Sequence, residues 1–296
     1  MPDDTRAVAP IVSLGLAVLT AALLVVGLPL VVAPARTDRY FSWTMDVPLT
    51  AAFLGASYWT AAVFTLLSAR EREWARARPV MPGVLVAGTL ILVATLVHID
   101  RFAMESARGW IWVILYAGLP PGVLLMLALQ RRAPGADPPV LRPMEGWATV
   151  LLALGAAVLL ITGAALFAIP QTVRGWWPWP LTDLTARMVG AWLAAVGATL
   201  VAVRAERDWA RVRAAMIYLG AIAAAQLATL ARYPDAVQWD SVAAWVYVAF
   251  AAALLALAVH GTSAAPGAPA RRRAPVPEPR ASGSRLRRSR SPRRRA

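Results

Sequence analysis

The chain has no cysteine, so disulfides and thiolate metal sites are excluded. It has no lysine either; all thirty basic residues are Arg. Arg without Lys, beside abundant Ala, Gly and Pro, is the usage of a GC-rich genome; a preference for phosphate, which suits the Arg fork, is the alternative cause. Only two histidines occur, His98 and His260. Without cysteine they are too few for a zinc site. Walker, nucleophile-elbow, zinc-protease and dinucleotide motifs are absent. The long apolar runs also lack charge, with no Asp, Glu or Arg near the middle of any of them. Ion-coupled pumps and proton relays rest on ionisable groups at membrane depth, so this absence counts against them.

What is present in quantity is apolar surface. Of 296 residues, 59% are hydrophobic and mean hydropathy is +0.56, too apolar for a soluble domain. Eight runs, at about 10–33, 48–69, 80–99, 110–130, 147–169, 185–204, 214–232 and 241–260, suffice for the roughly 20 residues a bilayer crossing needs. An all-α integral membrane protein with eight transmembrane helices is expected. The first run ends in Ala33-Pro34-Ala35, which resembles a signal-peptidase site, but it exceeds a usual signal core and follows an acidic start, so a retained helix is expected.

A short polar motif occurs twice. Glu71-Arg72-Glu73-Trp74-Ala75-Arg76-Ala77-Arg78 is matched by Glu206-Arg207-Asp208-Trp209-Ala210-Arg211-Val212-Arg213, 135 residues later. The match extends outward, with Gly55 answering to Gly190 and Asp100 to Asp235. Upstream the offset becomes 136, pairing Gly27 with Gly163, Pro34 with Pro170 and Trp43 with Trp179. The expected organisation is a four-helix repeat over 1–130, a second over 131–260, and a tail over 261–296. Four spans per half make the repeats parallel, not inverted. Loops at 70–79, 131–146 and 205–213, with Arg204, hold eleven Arg against six acids. The alternate loops, with Arg187 and Arg232, hold seven of each. Both termini are therefore expected on the cytoplasmic side. Most of the net charge of +14 lies in the tail, where eleven Arg and one acid, Glu278, follow residue 270. Poor in large apolar residues, this segment reads as disordered, with anionic lipid as its partner and no specific nucleic acid expected.

Three groups of residues invite a functional reading. Pro120 and Pro121 lie mid-run, remove the hydrogen bonds to the carbonyls of Tyr116 and Ala117, and are expected to open the helix. Broken helices mark substrate sites in transporters, so Tyr116, Pro120, Pro121, Tyr58 and Gln226 form a candidate ligand crevice; a plain kink is the alternative. Trp43, Trp110, Trp112, Trp179 and His98 form a candidate aromatic mouth at the outer face, or else an interfacial belt. Glu71, Trp74, Arg76, Glu206, Trp209 and Arg211 are candidate cytoplasmic handles for a headgroup or partner, or else a topology-fixing loop. Within each copy, Glu73 reaches Arg76 and Asp208 reaches Arg211 at i,i+3. His98 and His260 fall at opposite membrane faces, so they cannot share a haem.

The stretch FSWTMDVPLTAAFLGASYW (41–59) with the Glu-Arg-Glu-Trp loop resembles uncharacterised multi-pass membrane proteins of GC-rich bacteria, over roughly 1–260. The resemblance implies no activity and no functional residues. The expectation is a bacterial plasma-membrane protein that binds or moves a small uncharged or amphiphilic molecule between the repeats, in the manner of a permease. A non-transporting scaffold or accessory subunit is the alternative, and a membrane-embedded enzyme stands third. No catalytic residue, metal or cofactor is assigned.

Overall fold

In a computed structural model, residues 5–264 are described. Among them eight helices are long and apolar enough to cross a membrane. They are α1 (Pro10–Val32), α2 (Pro48–Ala69), α3 (Val80–Val97), α4 (Ala107–Gln130), α5 (Gly146–Ala168), α6 (Asp183–Glu206), α7 (Arg213–Arg232) and α8 (Val242–Ala264). All eight expected spans are present, with ends displaced by a few residues. The chain is thus a multi-pass membrane protein. Helix α8 continues through residues 261–264, which the sequence assigns to the tail; the remainder of the expected disordered tail lies outside the described residues.

Local chemistry sets the boundaries. Pro10 and Pro48 occupy first-turn positions, where a missing N–H costs nothing. Helix α6 starts with a capping box in which the Thr182 and Thr185 side chains each accept the other's backbone N–H. Helices α1 and α5 both end one residue before an Xaa-Pro step, Ala33-Pro34 and Ile169-Pro170.

Helices α2 and α6 are the most buried. Helix α2 packs against α1 and α7, and α6 packs against α5 and α3. Helix α4 rests on α3, and α8 on α7. The helices α3 and α7 therefore each pack on a central helix from the other end of the chain. The expected division at residue 130 is crossed by both of these packings. Without a hydrophobic drive between helices in lipid, close backbone approach supplies the attraction. At the α5–α6 crossing a Cβ on Gly163 would sit 2.7 Å from the Gly190 carbonyl oxygen and 2.8 Å from the Ala194 nitrogen. Gly163→Val should therefore cost about 1–3 kcal/mol by overpacking. Thermal unfolding in detergent checks this, with Gly175→Ala, where a Cβ meets nothing within 4 Å, melting like the parent.

The twin motifs do not lie on the surface as open loops. The segment before α1 pairs antiparallel with the first copy, through Val8 N–H to the Arg72 carbonyl (2.9 Å) and Trp74 N–H to the Arg6 carbonyl (2.9 Å). The segment before α5 pairs in the same way with the second copy, through Met144 N–H to the Arg207 carbonyl (3.1 Å) and Trp209 N–H to the Arg142 carbonyl (2.9 Å). Each pairing satisfies backbone groups of the segment leading into α1 or α5 and of the motif it lies against.

Candidate functional site

Helix α4 runs unbroken through Pro120 and Pro121. This corrects the expectation that the prolines open it. Pro121 is exposed and Pro120 half-buried, and the neighbouring Gly118 and Gly122 have nothing within 4 Å of a notional Cβ. The prolines thus sit on an outward face where a small adjustment of the helix meets no neighbour. Tyr116 points the other way. Its hydroxyl lies 2.6 Å from that of Tyr58, and both rings are buried. The void beside Tyr116, about 40 Å³, is bounded mainly by apolar side chains such as Leu119 and Ile91 and has room for little more than one water. Tyr58, Tyr116 and the prolines therefore do not assemble a crevice with Gln226.

The aromatic residues of the opposite face are likewise rearranged. Trp43 and Trp112 are buried in contact with each other (5.0 Å between centroids) and with Phe41 and Phe102. Trp112 Nε1 donates to Thr95 Oγ1 at 2.9 Å. Trp179 is fully buried elsewhere, against Trp177 and Tyr247, and donates to Thr50 Oγ1 at 3.0 Å. Trp110 alone of the four tryptophans is exposed. These are two separate clusters instead of one mouth. His98 accepts from Arg187 Nη1 at 2.9 Å, and burial, then the adjacent guanidinium, hold its pKa below the ordinary value. It is therefore a neutral acceptor for Arg187.

At the other face the proposed handles are tied into the protein. Trp74 and Trp209 are buried, not poised at the headgroup level, and Trp209 Nε1 donates to Glu145 at 2.9 Å. Buried Glu206 receives Arg78 through two bonds of 2.5 and 2.7 Å, and Arg211 at 3.4 Å. Arg78 also reaches Asp137 at 2.6 Å, and Arg211 donates to the Pro138 carbonyl. The expected local pairs are both present: Glu73–Arg76 at 2.9 Å and Asp208–Arg211 at 3.7 Å. Glu71 joins no ion pair among the described residues; burial raises its pKa, partly offset by Arg76.

A cavity of about 220 Å³ is bounded by α2, α5, α6, α7 and α8. It exceeds the roughly 150 Å³ that accommodates benzene in an engineered apolar cavity. Its walls include Phe53, Trp192, Tyr247 and Phe250, and it reaches outward between exposed Val158 on α5 and exposed Val246 on α8. Helix α1 packs on α4, but α5 has no comparable contact with α8. That difference leaves the side gap. At the offset of 135, Tyr116 on α4 corresponds to Ala251 on α8, and Ala251 lines the cavity.

Gln226 supplies one polar point, beside Ser57, Thr162 and the indoles of Trp177 and Trp192, whose N–H groups have no partner among the described residues. Gln226 Nε2 donates to the Phe53 carbonyl (3.2 Å) and to Ser57 Oγ (3.1 Å). The carbonyl can only accept, so the amide's orientation is fixed. Gln226 Oε1 has a single long contact, with Thr229 Oγ1 at 3.4 Å, and so retains capacity to accept. Of the candidate crevice, then, Gln226 alone lines this cavity. Sequence reading missed Trp192, Tyr247, Phe250 and Ala251. The Tyr116–Ala251 mismatch between otherwise matching stretches was the signal that could have found them. No family, curated protein or solved structure matches this chain.

Proposed function

We propose that the protein binds a small, uncharged amphiphile that passes from the bilayer between α5 and α8 and presents a hydroxyl or N–H to Gln226. The observation that carries this reading is the 220 Å³ side cavity with its single oriented amide. A charged ligand is disfavoured because no Asp, Glu, Arg or His lines the cavity. Lipid tails are as apolar as the walls, so apolar burial alone gives little preference over lipid. Selectivity then rests on ring shape and on the Gln226 oxygen. Binding is the step this geometry supports; permease-like movement would also require the Arg78–Glu206 ion pairs at the far end to part. A brominated monoacylglycerol should quench tryptophan fluorescence saturably, and Trp177→Phe with Trp192→Phe should remove most of that saturable part. Quenching that rises only linearly, as for partition into detergent, would contradict the reading.

The cavity belongs to a bundle read as two parallel four-helix repeats with cytoplasmic termini, in the plasma membrane of a bacterium. Supporting the repeat are the equivalent backbone pairings at Ala7–Glu73 and Pro143–Asp208 and the Trp43–Trp112 and Trp179–Tyr247 contacts at matching offsets. The Arg imbalance supports the orientation. In intact cells a cysteine at exposed Gly175 should react with an impermeant thiol reagent, and one at exposed Pro134 should not. The reverse pattern would invert every side assignment.

A further inference from the structure

A second site lies at the end of α1, on the membrane face that carries Trp43 and Trp179. There an open groove of about 720 Å³ runs between the end of α1, the turn after it and the end of α7. One wall is apolar, with Leu28 and Val32 exposed on α1. The other end carries two guanidinium groups, Arg36 and Arg232, flanked by Tyr40 and Tyr233. No acidic residue lines the groove, and among the described residues neither Arg joins an ion pair. Arg232 is held in position: it lies 5.4 Å from the Tyr233 ring centroid and donates to the Val31 carbonyl at 3.5 Å. Both Arg occur on the face whose loops carry no Arg excess, so the positive-inside tendency does not account for them.

The matching positions of the repeat sharpen the point. Tyr40 and Tyr233 correspond to Trp176 and His98, ring side chains in each case. Arg36 and Arg232 correspond to Thr172 and Val97. The rings occur at both sets of equivalent positions, as interfacial anchoring would require, while the two charges, one from each half of the chain, occur at only one set. Two unpaired guanidinium groups at headgroup level above an exposed apolar wall are complementary to a phosphate carrying an acyl chain.

We propose that this groove binds an anionic phospholipid, with its phosphate between Arg36 and Arg232 and a chain along Leu28 and Val32. The test uses the full chain in detergent micelles with phosphatidylglycerol bearing a diazirine in one acyl chain, and maps the cross-linked peptide by mass spectrometry. Mapping the peptide separates this groove from the Arg-rich tail. Labelling between residues 24 and 40 should exceed that from the equivalent phosphatidylcholine by roughly 25-fold, since each of the two Arg contributes about fivefold. Arg36→Gln with Arg232→Gln should remove that excess and leave the melting temperature within a few degrees of the parent's. Equal labelling by the two lipids would overturn the proposal, and this comparison needs only the parent protein. Millimolar glycerol 3-phosphate should not compete. If it does, the site takes a soluble phosphate, and the lipid assignment is wrong.

Discussion

Asp208→Ala should lower unfolding stability by about 3–5 kcal/mol, the usual cost of removing one partner from a buried charged cluster. Asp208 is 1% exposed. Its carboxylate accepts the backbone N–H of Leu141 (2.9 Å), Arg142 (3.1 Å) and Ala210 (2.9 Å), and lies 3.7 Å from Arg211. Truncation would strand three donors at once, each costing about 1–3 kcal/mol if water cannot reach it. It would also detach the 141–144 segment that leads into α5. The matching residue of the first copy, Glu73, makes only a half-exposed pair with Arg76. Glu73→Ala should therefore cost no more than about 1 kcal/mol. Thermal or denaturant unfolding of the two variants side by side measures the contrast. Equal effects would mean that the second motif is not a structural clamp.

Ala251→Phe should weaken binding of the brominated monoacylglycerol by at least about 30-fold, or roughly 2 kcal/mol. The cause is occupancy: the ring would fill the space that Tyr116 fills at the matching position of the first half. Phe is the informative choice because a Tyr hydroxyl would be orphaned. Tyr116 meets Tyr58 at 2.6 Å, but the counterpart of Tyr58 is Leu193. Stability should hold or rise, since filling an apolar void restores contacts. Affinity unchanged in a well-folded Ala251→Phe variant would place the ligand elsewhere.

Helix number and limits were legible because hydropathy and proline stops report directly on bilayer crossing and chain termination. The i,i+3 pairs were legible because a single turn brings such positions together, whether it is the short helix Trp74–Ala77 or the non-helical turn 208–211. Three features were hidden for physical reasons. Pro120-Pro121 has the local chemistry of a break, but whether a helix opens depends on what surrounds it, and these prolines face outward without close neighbours. Trp74 and Trp209 suit a headgroup belt as well as a core, because indole is amphipathic. In the fold both are buried, Trp209 beside His260, Gly261 and Glu145. The cavity arises from a missing side chain at Ala251 and a missing α5–α8 contact. Hydrophobic periodicity carries neither, although comparison of the halves residue by residue exposes the first.

The most direct test of the central claim is mass spectrometry of what the protein retains through purification, carried out in parallel on the parent and on Ala251→Phe. The account predicts one small uncharged amphiphile with a hydroxyl or N–H, close to one per chain in the parent and absent from the variant. A parent that retains no such molecule, or a variant that retains it equally, would contradict the assignment of the side cavity as the binding site.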